Sequence, residues 1–282
     1  MKAFKQLSLM ILMVAFFCVP NASALTVVTH YIGGVAPANA KGGGNLVDIV
    51  NAAARMWEAA YPESGVVSIN FGWAPVGDAG THTLLLQGGT PNRETSGIVL
   101  FDNSGAVKFY LDPTPDSNEE YRRRTEEYQD LGGGFVNVAR LFSSPVGDAL
   151  GHTDLLSVAL HEIGHALGIC AANSSFRLEG AKGMITISGE LPFSGTVVPL
   201  ATNHAGITSH FDALQITYGA VMAGIGGDER RIPSALDILV NAQISGYSVL
   251  ILDPREESQS RNTPGRSGGR LGTVTPARRS SK

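Results

Sequence analysis

Apolar and polar positions follow two rhythms along the chain, and each rhythm predicts elements. Leu25 to Ile32 alternates as a strand does. From Asn45 to Ala60 the apolar positions are Leu46, Ile49, Val50, Ala53, Met56, Trp57 and Ala60. That spacing predicts a helix, which stops before Pro62. Val66–Trp73, Leu84–Leu86, Gly97–Phe101 and Val107–Leu111 read as strands. The last two are joined by Asp102-Asn103-Ser104-Gly105, a hairpin signal. Ser117-Asn118-Glu119-Glu120 has the form of a capping box, so a charged helix is expected to about Asp130. Its Arg122-Arg123-Arg124 run reads as a solvated face. Gly132-Gly133-Gly134 is a loop, and Phe135 to Leu141 suits a short helix or a strand.

A second kind of helix follows. Leu155, Val158, Ala159, Ile163, Ala166 and Leu167 leave little polar face, as expected of a helix buried inside a domain. Asp154 favours its start and Gly168 its end. Met184–Ile187 and Gly195–Leu200 are strand-like. Ile232-Pro233-Ser234 opens a last helix reaching about Ala242, with Pro233 near the first turn. The pattern has no internal repeat. It predicts an α+β fold: a twisted mixed sheet with two long helices in an N-terminal lobe, and a smaller irregular C-terminal lobe ending in a helix.

The two ends are of different composition. Lys2 and Lys5 precede an apolar run from Leu7 to Val19, and Ala22-Ser23-Ala24 is a small-x-small cleavage site. Residues 1–24 therefore read as a secretory signal peptide, too short in its apolar part to span a membrane. Export to the periplasm, cell surface or medium is expected, with no stable membrane insertion after cleavage. The chain that remains has one cysteine, Cys170, so no intramolecular disulfide can brace it. Residues 253–282 are rich in Arg, Ser, Gly and Pro and lack periodicity, which predicts a disordered basic tail. Between the ends, 25–252 forms the predicted domain, with lobes at about 25–168 and 169–252.

Charge narrows the partners. The whole chain carries −4. The tail contributes seven Lys and Arg against three Asp and Glu, and the signal adds two Lys, which leaves the body at −10. An acidic body argues against nucleic acid.

The chemistry is concentrated in the buried helix. His161-Glu162-Ile163-Gly164-His165 is a His-Glu-x-x-His motif. Positions i and i+4 share a helix face, so His161 and His165 can direct two imidazoles at one metal ion. Glu162 lies about 100° round the helix. From there it can hold a water without being a ligand. Two buried imidazoles and a buried carboxylate would be costly without such a partner. A catalytic zinc takes three protein ligands and a water, so a third ligand is needed. Candidates are His30, His82, His152, His204, His210 and Cys170. Of these, His30, His82 and His152 read as ordinary surface or satisfied histidines, and Cys170 as a small buried apolar group.

Gly168 continues the motif to His-Glu-x-x-His-x-x-Gly, but the eleventh position is Ala171. Downstream lie His210-Phe211-Asp212 and, twelve residues past His210, Met222. This resembles the metzincin zinc metalloproteases, nearest to the leishmanolysin-like pattern with a long insertion before the third His. The resemblance covers roughly 155–245. It implies His161, His165 and His210 as ligands of one catalytic Zn2+, Glu162 as general base, and Met222 beneath the metal. Leishmanolysin-type enzymes are disulfide-rich and carry a pro-segment. Here no disulfide is possible, and only about 20 residues separate Leu25 from the first helix. Asp212 either orients His210 or caps a turn. Asn173-Ser174-Ser175 fits a glycosylation acceptor.

The expected function is a secreted zinc-dependent endopeptidase, with protein or peptide as substrate. A metal-activated water attacks the peptide carbonyl and Glu162 takes its proton. The substrate would lie extended along a sheet edge, with Gly97–Phe101 as the candidate edge. Two other readings fit the motif. One is a secreted binding or surface protein with a structural zinc closed by four histidines, His204 joining the three. The other is a zinc hydrolase acting on a non-peptide substrate. Oligomeric state is not legible.

Overall fold

The computed structural model describes residues 24–62 and 65–250. The expected signal peptide, apart from its last residue, and the expected tail lie outside the described residues. Among them the fold is mixed α+β, with several sheets and four α-helices.

The strands in chain order are β1 (Leu25–Gly33), β2 (Gly65–Ala74), β3 (Gly80–Gly88), β4 (Arg93–Asp102), β5 (Phe109–Tyr110), β6 (Tyr121–Asp130), β7 (Phe135–Pro145), β8 (Thr153–Asp154), β9 (Met184–Thr186), β10 (Val197–Asn203), β11 (Gly206–Phe211) and β12 (Arg230–Ile232). The helices are α1 (Leu46–Glu58), α2 (Leu155–Ala166), α3 (Ser174–Glu179) and α4 (Ala235–Ser245).

The main sheet has the order β1-β2-β4-β3. β1, β2 and β4 run parallel, and β3 is an antiparallel outer strand. α1 and α2 pack against each other, and α2 also meets β3 and β4. The Trp57 indole of α1 donates to the Leu160 carbonyl of α2 at 2.9 Å, which locks the two helices in register. The largest apolar cluster draws on residues from Leu25 to Val249. β12 joins the ribbon β6–β7, so the chain after α2 returns to a sheet built before it.

Four expectations change. β4 and β5 are not a hairpin. The Asp102–Gly105 segment does turn, with Ser104 Oγ donating to Asp102 Oδ2 at 2.6 Å, but it leads out of the sheet. β5 instead pairs in parallel with β8. Gly97–Phe101 is not an edge: β4 lies between β2 and β3, and β3 is the outer strand.

The charged segment 117–130 is not a helix. Ser117 Oγ donates to Glu119 instead of capping, and residues 121–130 form β6 against β7. The segment has no apolar stripe at helical spacing, so a strand partner decides its form. The Gly132–Gly134 turn supplies that partner, held by Asp130 Oδ1 accepting from both glycine amides. Phe135–Leu141 is accordingly strand.

The last helix starts later than expected. Ser234 is its N-cap, with Asp237 completing a capping box, and Pro233 precedes the cap.

Candidate metal centre

α2 is positioned at its start by buried charge. Asp154 caps the helix, accepting from the Ser157 amide at 2.9 Å and hydroxyl at 2.7 Å. Arg230 of β12 donates to both oxygens of Asp154, to Asp112, and to the Ser117 carbonyl, with its guanidinium over the Tyr121 ring. The three charged side chains are fully buried. At the other end the helix stops at Ala166. A Cβ on Gly168 would lie 2.8 Å from Ser245 Oγ, so glycine permits the close approach of α4 there.

All twelve residues of α2 are buried, His161, Glu162 and His165 included. His161 Nδ1 lies 2.8 Å from the Val221 carbonyl, and His165 Nδ1 lies 2.6 Å from the Ile169 carbonyl. A carbonyl only accepts, so both Nδ1 atoms carry the proton and both Nε2 atoms present lone pairs. His210, on β11, brings a third ring. Its Nε2 is 3.1 Å from His161 Nε2, which is itself 3.0 Å from His165 Nε2. No proton is left between the two α2 nitrogens. Two lone pairs at that distance repel unless a cation lies between them. Nitrogens bound at 2.0–2.1 Å to a tetrahedral ion stand roughly 3.3 Å apart, so the donor set fits such an ion. His161, His165 and His210 are close enough together to hold a metal ion, and no other such group occurs among the described residues.

Electrostatics suits the same role. Burial, and then the neighbouring His210, pull the His161 imidazole down to about 3. Burial likewise holds His165 well below its usual value, and lowers His210. All three rings are neutral near pH 7, the form a metal requires. Burial pushes Glu162 up to about 8, opposed by His82 and assisted by Asp78.

The third imidazole reaches the cluster by a route the motif does not contain. Ala171 occupies the position where the short motif would have its last His. Its amide donates to Ser209 Oγ at 2.7 Å, which fastens β11 beside the end of α2 and sets His210 next to the pair. Against Gly164 of α2, Met222 lies in a short 3₁₀ turn, Val221–Ala223. A Cβ on Gly164 would overlap Met222 Sδ, so the glycine inside the motif makes room for this turn. The Asp237 carboxylate accepts from the Met222 amide at 3.0 Å and the Val221 amide at 3.4 Å. α4 thus fixes the carbonyl that orients His161.

The remaining candidates separate. His204 is exposed at the tip of the β10–β11 hairpin, outside the cluster, which leaves a four-histidine site without its fourth ligand. His30 is exposed, and His152 meets the Leu150 carbonyl through Nδ1 at 3.0 Å. Asp212 caps a turn, accepting from the Leu214 amide and from Gln215. Asn173 is 1% exposed and caps α3, so its side chain is closed to a glycan. Cys170 is buried.

Gly80 and Glu94 were not expected near the site, whereas His82, read as an ordinary surface or satisfied histidine, is a satisfied one. Gly80 lets β3 come down on α2: a Cβ there would lie 2.9 Å from Glu162 Oε1. Two residues on, His82 is buried against Glu94 at 2.8 Å. Burial pulls the His82 imidazole down, but the Cys170 thiol and the Glu94 carboxylate outweigh it and push it up to about 9. One signal for this pair was available. Gly97 interrupts an otherwise good strand, and an isolated strand glycine marks a close approach. A Cβ on Gly97 would overlap the Glu94 carboxylate.

A scan against models of known protein families finds no match to the chain, and a search of curated proteins finds no relative.

Proposed function

We propose that the chain is a zinc-dependent endopeptidase of the metzincin kind, exported and acting on protein or peptide. The observation that carries this reading is the convergence of three neutral imidazoles, two with their tautomers fixed by backbone carbonyls, beside a buried carboxylate that belongs to none of them. His161, His165 and His210 would hold the ion. Zinc bound there supplies a Lewis acid that polarises a carbonyl and acidifies a water.

The chain's own groups account for the rest. Glu162 takes a proton from the attacking water at its carboxylate and returns it to the leaving amine. Burial raises its affinity for a proton, which makes it a stronger base than an exposed carboxylate. β3 is the outer strand, and Gly80 brings it onto Glu162. An extended peptide paired along β3 would therefore have its backbone beside the base. Leu85 and Leu86, both exposed on β3, offer apolar contacts for alternate side chains.

The test is Glu162→Gln, measured for zinc content and for peptide hydrolysis at equal folded concentration. Zinc should stay bound. The rate should fall 10²–10⁴-fold, the usual worth of general-base catalysis. Loss of zinc would make Glu162 a ligand or a brace. An unchanged rate would remove α2 from the chemistry.

A further inference from the structure

The outer strand β3 meets the metal helix at a second point, and that point is more costly than packing alone requires. His82 Nε2 and Glu94 Oε1 are 2.8 Å apart, with side chains 2% and 1% exposed. The second oxygen of Glu94 is buried without a partner. Burying such a pair is expensive, and an apolar pair of similar volume is often no less stable. The chain also gives up a side chain at Gly97 to seat it.

The pair lies beside a metal ligand. The His82 ring faces the His165 ring at 6.2 Å between centroids, with 26° between planes. The two partner ligands meet His165 differently, His161 at 80° and His210 at 84°. The Ile169 carbonyl holds the Nδ1 edge of the His165 ring. The His82 ring lies along one face of it, and Cys170 and Glu94 in turn hold the His82 ring.

We propose that His82, held by Glu94, is a positioning residue for the metal site, fixing the ring plane of His165 from the outer strand. The inference rests on reading the three histidines as metal ligands. It requires His82 to touch neither the ion nor the substrate. Groups that orient a ligand from behind typically change metal affinity 10–100-fold when removed.

The experiment uses the full mature chain and cobalt(II) ion alone, with affinity and the visible ligand-field spectrum as readouts. The double substitution His82→Leu with Glu94→Leu removes ring and tie together while keeping the interior filled. Its cobalt affinity should fall 10–100-fold and its spectrum should change, at a melting temperature close to that of the unsubstituted metal-free chain. Glu94→Gln keeps an acceptor for His82 and should leave both readouts near the original. Should the double variant fail to fold, Gly97→Ala pushes Glu94 and His82 aside and should produce the same two changes. A folded double variant, or failing that a folded Gly97→Ala, with affinity within threefold and an identical spectrum overturns the proposal. If the unsubstituted chain takes up no cobalt, the three-histidine reading itself falls, and this one with it.

Discussion

α1 and α2 lie against each other, yet they are different kinds of helix. α1 buries one face and exposes Val47, Asp48 and Arg55 on the other. α2 has no exposed face at all. Each is also tied by an arginine–carboxylate pair. Arg55 of α1 reaches Asp116 with both side chains more than half exposed. Asp154 at the start of α2 meets Arg230 with both fully buried. The difference teaches where polar residues carry information. On α1 a polar residue needs only water. On α2 a polar residue needs a partner or, like Glu162, is pushed toward its neutral form, because burying a charge alone is costly. Asp154 has Arg230 and Ser157. His161 and His165 have backbone carbonyls on one side, and only each other and His210 on the other.

The comparison is tested hardest by acid in the absence of metal. The imidazoles of α2 and His210 respond together, so the effect should exceed that of any one substitution. Their folded pKa values are depressed, so the unfolded chain binds more protons below its own imidazole value of about 6.5. Stability of the chelated protein should therefore be lost as pH falls from about 6.5 toward the His161 value of about 3. Glu162, raised to about 8, acts in the opposite sense, favouring the fold below its ordinary range and opposing it as pH rises through about 8. Saturating zinc should move the acid midpoint downward. Urea titrations at pH 7, 6 and 5 of the Glu162→Gln chain, which lacks that opposing group, measure this with and without chelator, and a flat profile would mean that the three rings are not held neutral.

Next in size is Arg230→Leu. It leaves Asp112 and Asp154 as buried carboxylates without their cation and loosens the cap of α2. Removing one partner of a buried ion pair costs about 3–5 kcal/mol. A loss under 1 kcal/mol in chemical unfolding would show that water reaches this cluster.

The contrast between the helices also explains what could be read in advance. On α2 the approach of His161 and His165 was legible, because i and i+4 fix a common face whatever surrounds them. α1 was legible from its stripe. His210 could be ranked above His204 only through its neighbours Phe211, Asp212 and Met222. The spacing does not say that Ser209 would bond Ala171 and bring β11 in. Strand order was not legible: β3 and β4 are similar as strings, and pairing with β2 makes β4 internal. β6 was misread because a local capping signal at Ser117 was weighed without its strand partner. His82 has no local signal. Its partner Glu94 lies on the next strand, and only the gap at Gly97 hints at the pair.

The smallest effect is the other arm of the contrast. Arg55→Ala removes the α1 ion pair, the same two chemical groups as at the start of α2. Arg55 donates to both oxygens of Asp116, at 2.9 and 2.7 Å, so the geometry is as good as that of the buried pair. Geometry alone would predict a similar loss. Water changes the outcome: both groups are solvated before they meet and remain solvated when parted. Holding a long side chain in one rotamer also costs entropy, and the net worth of such pairs is about 0–1 kcal/mol. Arg55→Ala should therefore shift chemical unfolding by less than 1 kcal/mol, and 0.5 M salt should erase most of what remains by screening. A loss approaching that of Arg230→Leu would mean that burial is not what separates the two helices, and that the surface loop carrying Asp116 anchors α1 as firmly as β12 anchors α2.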